Sequence, residues 1–333
     1  MTEFKRNLAV VIGINHYQNG IQPLKTAAAD AQKFADVLRS HHHYQLIHID
    51  PAKKAPILNE TATLQNLRQL FTEILPHKIR PNQGDRLLIY FAGHGITRQI
   101  SDKGPQGFLI PQDADIKNAD SLLPMQELYE SLNQLECRHL LVILDCCFAG
   151  MFRWANTRKV SAIPDTIHWE HYHRFIKYPA WQVITSAAYN QAALDYIDNR
   201  GEGTSPQHSP FAEALFSGLL EGKADLIRDG VITTPELYLY LRECVEKQSK
   251  EQQTPGYWPL RKHDRGEYVF QLVPSDQLQL KPAPKLEKDN NPYRGLESFE
   301  EHHARFFFGR NEVIEALDFI GNNMGAHASE PPF

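Results

Sequence analysis

Two short stretches put reactive side chains at the ends of apolar runs. RLLIYFAGHG (86–95) ends on His94 and Gly95, and LLVILDCCFAG (140–150) ends on Asp145, Cys146, Cys147 and Gly150. A thiol becomes a strong nucleophile when an imidazole stands close enough to take its proton. The same imidazole can then protonate an amine leaving group. Glycines beside both groups let the chain turn sharply and bring backbone N–H groups near a substrate carbonyl. Neighbouring residues on a strand point to opposite faces. Only one of the two adjacent thiols can therefore share a cleft with His94; the other is a small packed residue, able at most to tune redox sensitivity.

The elements that would carry these groups are legible as apolar runs. Residues 7–14 (NLAVVIGI), 86–92, 140–144 and 181–187 (WQVITSA) read as fully buried strands, with shorter strands at 44–49, 108–110 and 266–272. Three-to-four spacing of apolar residues predicts helices over 24–40, 61–75, 124–135, 211–220 and 234–247. Continuous apolar strands alternating with amphipathic helices predict an α/β fold with a mostly parallel sheet covered on both faces. In such sheets, sites form at the carboxyl ends of the strands, where His94 and the thiols stand. Residues 152–178 are polar and read as a long loop. Residues 274–291, rich in Pro and Lys, read as a linker.

Composition narrows the function classes. The chain has 333 residues, 42% of them hydrophobic, with a net charge of −5 and four cysteines. A negative balance gives no footing for nucleic acid or an anionic membrane. No stretch reaches the roughly 20 apolar residues of a membrane span, and the first residues lack a signal-peptide pattern. Four cysteines do not make a disulfide framework. The expectation is a cytoplasmic protein. HHH at 41–43 and HWEHYH at 168–173 have no recognised zinc spacing, so no metal is expected.

YFAGHG and DCCFAG together resemble the signatures of the caspase-like cysteine peptidases (clan CD, family C14), most like the metacaspase and prokaryotic orthocaspase branch. Their order, His then Cys, and their separation of 53 residues agree with the roughly 50 of caspases. Asp145-Cys146-Cys147-Phe148-Ala149-Gly150 matches the metacaspase Asp-Ser-Cys-His-Ser-Gly in its Asp, second Cys and Gly. The resemblance spans about residues 7–272 and implies the caspase-hemoglobinase fold. It implies Cys147 as nucleophile, His94 as its partner in a dyad, and the N–H groups of Gly95 and Cys147 as the oxyanion hole. The segment LKTAAAD matches the family's Leu-x-Gly-Cys-x-Asn-Asp at Leu24 and Asp30, with Thr26, Ala27 and Ala29 departing from it. Asp30 and Asp145 are thereby implied to line a pocket for a basic side chain, with Ser186 on the strand that pairs with substrate. The implied substrates are proteins or peptides cut after Arg or Lys, and the resemblance to prokaryotic members implies a monomer.

The resemblance also implies an organisation: a large-subunit-like half (1–150), an intersubunit loop (151–180), a small-subunit-like half (181–273), a linker (274–291) and the start of a second module (292–333). Self-cleavage in the loop has Arg153, Arg158, Lys159, Arg174 and Lys177 as candidates. SLLPMQEL stands where the family often has paired acids, so calcium dependence is not expected. FFGR at 307–310 resembles the opening of a STAND-type NTPase module, which would make the peptidase an effector under a sensor; no phosphate loop follows it in these 333 residues. The alternative to an enzyme is a non-catalytic caspase-homology scaffold. Intact His94 and Cys147 argue against it.

Overall fold

The computed structural model describes residues 4–79, 84–99, 104–147, 164–188, 191, 193–195 and 207–285. In chain order the elements are β1 (Arg6–Gly13), α1 (Ala27–Ser40), β2 (Gln45–Leu46), β3 (Ile57–Leu58), α2 (Leu64–Gln69), α3 (Leu75–Lys78), β4 (Asp85–Ala92), β5 (Gly95–Gln99), β6 (Pro105–Leu109), β7 (Leu123–Pro124), α4 (Met125–Asn133), β8 (His139–Asp145), α5 (Trp169–Lys177), β9 (Ala180–Thr185), α6 (Pro210–Leu220), β10 (Val231–Thr233), α7 (Thr234–Gln248), β11 (Gly256–Pro259) and β12 (Val269–Gln271). The main sheet runs β11-β9-β8-β4-β1-β2, with β3 also on β1. All its pairs are parallel except β11 on β9. This is the mixed α/β architecture expected of a caspase-like fold.

Alternation along the central strands sorts the core into two layers. Leu8, Val10 and Ile12 of β1 join Leu87, Ile89 and Phe91 of β4 and Leu140, Val142 and Leu144 of β8 beneath α2, α3 and α4. Ala9 and Val11, Leu88 and Tyr90, and Leu141 and Ile143 face the other way, against α1, α6 and α7. Both faces of β4 and β8 are buried along their whole length, which is why their sequences read as unbroken apolar runs. Gly13 lets α1 close on β1, since a Cβ there would lie 2.5 Å from both the Ala27 carbonyl and Ala31 Cβ.

Some expectations are revised. The second half of the stretch read as a long loop is helix α5, which buries Tyr172 and Ile176, four residues apart, on one face. The helix expected over 61–75 includes a π-turn at Leu70–Ile74. The strand expected at 266–272 is reduced to β12, which pairs with β10 outside the main sheet. A three-stranded antiparallel sheet, β5-β6-β7, leaves the end of β4. Its strands are short and mixed in pattern, so periodicity showed only the part around Phe108.

The chain forms a compact unit to Pro282; a second unit, Ala283–Phe333, lies almost wholly outside the described residues. Leu278 and Leu280, in the Pro- and Lys-rich stretch, are buried beside Ile167 and Tyr172. No described helix is long and apolar enough to cross a membrane.

Candidate active site

Register brings the two motifs together. In the parallel pair β4–β8, Ala92 stands opposite Asp145. Two residues further on, His94 and Cys147 leave neighbouring strands at the same level, at the carboxyl edge of the sheet. Both line one cleft with Asp30, Asp145, Thr26 and Ser209. The chains are tight here: a Cβ on Gly95 would lie 2.3 Å from the Cys147 carbonyl oxygen and 3.3 Å from Cys146 Sγ. Only glycine fits between the two motifs.

The thiols divide as alternation requires. Cys146 is 1% exposed and packs in the layer with Leu144 and Phe91. Burial raises its pKa well above the ordinary value. Cys147 is half-buried and opens on the cleft. Burial is also the main cause that raises its pKa, and the charge of Asp145 adds to it, while a hydrogen bond from Ala193 opposes it. The resting form is therefore the thiol, and a base must take its proton.

His94 is oriented by the loop between β1 and α1. Its Nε2 stands 2.8 Å from the Gln22 carbonyl oxygen. A carbonyl only accepts, so Nε2 carries the proton and Nδ1 keeps the free lone pair. The backbone N–H of His94 donates to the Tyr17 hydroxyl (2.8 Å), and the two rings lie 4.9 Å apart. Asn15 ties that loop down: its side chain accepts from Ala28 N and donates to the Lys25 carbonyl. Neither the Gln22 carbonyl nor Tyr17 could be picked from sequence. One is a backbone group, and the other lies 77 residues before the histidine it supports.

A short segment lies over the Cys147 thiol. Ala193 N–H donates to Cys147 Sγ (3.3 Å), and Sγ is placed to donate to the Ala193 carbonyl (3.7 Å). Leu194 N–H is held by the buried side chain of Gln253. The Asp195 carboxylate accepts from the N–H groups of Lys25 (2.6 Å) and Thr26 (3.1 Å), at the start of α1. An acid at that end meets unpaired N–H groups and the positive end of the helix dipole.

The acidic pair forms the floor. Asp30 on α1 is 0% exposed and Asp145 is 7% exposed. The Ser209 hydroxyl donates to Asp145 Oδ2 (2.8 Å), and its N–H donates to Asp30 Oδ2 (3.2 Å). His208 Nδ1 reaches Asp30 Oδ1 at 2.6 Å. Burial first, then the charge of Asp30, pushes the Asp145 carboxyl up to about 7. Burial raises Asp30 too, against the pull of its His208 hydrogen bond. Ser186 is buried just past the end of β9. Its hydroxyl completes no hydrogen bond among the described residues.

The other expected residues fall elsewhere. Arg174 and Lys177 stand on the last turns of α5, a folded helix whose backbone would have to open before a protease could bind it extended. Arg153, Arg158 and Lys159 lie outside the described residues. His42 of the HHH run is buried against the Phe270 ring, and burial lowers its pKa to about 4. Among the described residues no three His, Cys, Asp or Glu gather as metal ligands would.

A sequence profile for the Caspase domain matches residues 6–263. The chain belongs to the caspase family. A caspase domain places it among cysteine-type peptidases. A curated relative described as a probable protease, from a Desulfuromonadales bacterium, is 25% identical over 150 residues, 43% of this chain. This chain spans 18% of that relative's length. The solved structure of protein GSU0716 from Geobacter sulfurreducens aligns over 85% of this chain and 100% of its own, at 16% identity and a TM-score of 0.47.

Proposed function

We propose that this caspase-family chain is an endopeptidase that cuts proteins or peptides after arginine, and secondarily after lysine, through a dyad of His94 and Cys147. The observation that carries the reading is the convergence of His94, Cys147, Asp30 and Asp145 on one cleft. In this reading Nδ1 of His94 takes the proton of Cys147, and the thiolate attacks the carbonyl carbon of the scissile bond. Backbone N–H groups at Gly95 and Cys147 meet the developing oxyanion. The C–N bond breaks as His94 returns the proton to the leaving amine. Water, deprotonated by His94, then hydrolyses the thioester and restores the thiol. A floor of two carboxylates draws a guanidinium or ammonium group and repels an acidic side chain.

Segment 193–195 covers the thiol in this state, so the reading includes a latent form that substrate or a trigger must open. Self-cleavage would fall near Arg153, Arg158 or Lys159. The described thiols, Cys137, Cys146, Cys147 and Cys244, are all free, in keeping with a reducing cytoplasm.

The test is turnover of fluorogenic peptides ending in Arg, Lys, citrulline or Asp. Cleavage after Arg that falls on the order of a thousandfold in Cys147→Ala and persists in Cys146→Ala is the expected result. Cleavage after Asp would overturn the pocket and leave the dyad. Folded protein that neither turns over nor reacts at Cys147, even once Gln253→Ala has removed the hydrogen bonds that hold segment 193–195, would be the scaffold instead.

A further inference from the structure

Two consecutive residues, His208 and Ser209, hold three of the four oxygens of the acidic pair. His208 takes Asp30 Oδ1, the Ser209 N–H takes Asp30 Oδ2, and the Ser209 hydroxyl takes Asp145 Oδ2. Ser209 is fixed as the N-cap of α6, accepting from Ala212 N at 3.0 Å. Among the described residues, His208 is the basic side chain that meets this pair. Its ring is wedged edge-on against Phe216 of α6, with centroids 5.0 Å apart. Its side chain is 25% exposed, whereas that of Asp30 is 1% exposed.

The groups facing this corner are nearly all acidic or apolar. Asp30 comes from α1, Asp145 from β8 with Asp195 near it, the Tyr90 phenol from β4, and Phe216 from α6. Two carboxylates desolvated together favour their neutral forms, because burial and mutual repulsion both oppose charge. A neutral floor has no attraction for a guanidinium. Something must keep a negative charge there at neutral pH without filling the place of the substrate's cation.

We propose that His208 is a positioning residue for the pocket: its imidazole anchors Asp30 from the side and keeps that carboxylate ionised and aimed at the basic side chain of the substrate. This rests on the reading of the pocket as a site for arginine. His208 itself touches no substrate. Its placement depends on a fold that brings together residues 178 positions apart. His208→Ala would leave Asp30 the Ser209 N–H and the Thr26 hydroxyl but no basic partner, so the carboxyl would more readily take up a proton beside Asp145.

The experiment compares peptides ending in arginine and citrulline, alike in shape but different in charge, on the full chain and on His208→Ala, His208→Asn and Asp30→Asn. The ratio of kcat/KM for the two peptides is followed from about pH 7 to about pH 9. The expected result at the lower pH is a fall in that ratio of roughly tenfold in His208→Ala, one pKa unit's worth, carried by KM for the arginine peptide with kcat and the citrulline peptide little changed. The ratio should recover at the higher pH, and in His208→Asn, which restores a donor. Benzamidine binding by calorimetry gives the same comparison without turnover and should weaken in parallel. An unchanged ratio in His208→Ala, with a collapsed ratio in Asp30→Asn, would overturn the positioning role and leave the pocket standing. Equal losses on both peptides would reduce His208 to a packing residue. A wild-type chain that does not distinguish arginine from citrulline would sink the pocket itself, and the role of His208 with it.

Discussion

At Asp145 a proton decides how the cleft treats a cation. Its carboxyl, pushed up to about 7 by burial and by Asp30, is neutral below that pH and charged above it. Attraction for arginine should therefore grow as pH rises through about 7. In the proposed mechanism the raised thiol of Cys147 would also speed attack at high pH, but on every substrate alike. The kcat/KM ratio of arginine to citrulline peptides isolates the pocket: it should climb across this window in wild type and stay flat and low in Asp145→Asn. A ratio indifferent to pH in wild type would contradict the electrostatics of the floor. Part of the geometry of this cleft was legible in sequence. Strand alternation separates Cys146 from Cys147, and the structure packs Cys146 into the core layer. What sequence hid are the partners supplied by distant chain: the Gln22 carbonyl on His94, Ala193 on Cys147, and Ser209 and His208 under the acids. Backbone groups carry no residue signature, and long-range side chains carry none until the fold places them.

The elements that matter are a pair of strands and a short covering segment. β4 and β8 were plain in sequence because both their faces are buried, and their parallel register sets His94 level with Cys147. Helix α5 was not plain, because its aromatic and basic composition resembles a solvated loop; only Tyr172 and Ile176 mark its buried face. The accessory strands β5 to β7 are too short to show a period. Segment 193–195 is secured by Gln253, which is 0% exposed, accepts from Leu194 N (2.9 Å) and donates to the Ser186 carbonyl (2.8 Å). Gln253→Ala removes both bonds. Alkylation of Cys147 by iodoacetamide should then quicken several-fold, as one lost buried hydrogen bond of about 1 kcal/mol already shifts an opening equilibrium about fivefold. An unchanged rate would mean that the segment does not restrain access to the thiol.

Across the whole molecule, stability carries a pH signature of its own. The carboxyl of Glu267 is enclosed within a residue that is otherwise half-buried, and burial pushes it up to about 8 despite a hydrogen bond from Gln182. The folded chain thus holds a proton that the unfolded chain releases near pH 4.5. The stability this proton confers is complete below that value and is lost as pH rises through about 8. Tm should fall from about pH 5 to about pH 8, by an amount on the order of a few kcal/mol in unfolding free energy. Glu267→Gln, which mimics the protonated acid, should flatten that decline. A Tm that rises across the window, or a variant that declines as steeply as wild type, would show that Glu267 is charged in the fold. The overall class was legible because sheet layers follow directly from apolar runs and helical periods. In the small sheet of β10 and β12 only β12 was legible, inside the strand expected at 266–272, since the three residues of β10 leave no pattern.

The most direct test of the account is covalent. The full chain would be incubated with a peptidyl-argininyl acyloxymethyl ketone, and with its aspartyl counterpart, and the modified residue located by mass spectrometry. The expected result is a single thioether on Cys147, formed much faster by the arginine reagent, with Cys146 untouched. Labelling on Cys146, or equal labelling by the aspartyl reagent, would contradict the assignment of nucleophile and pocket to one cleft.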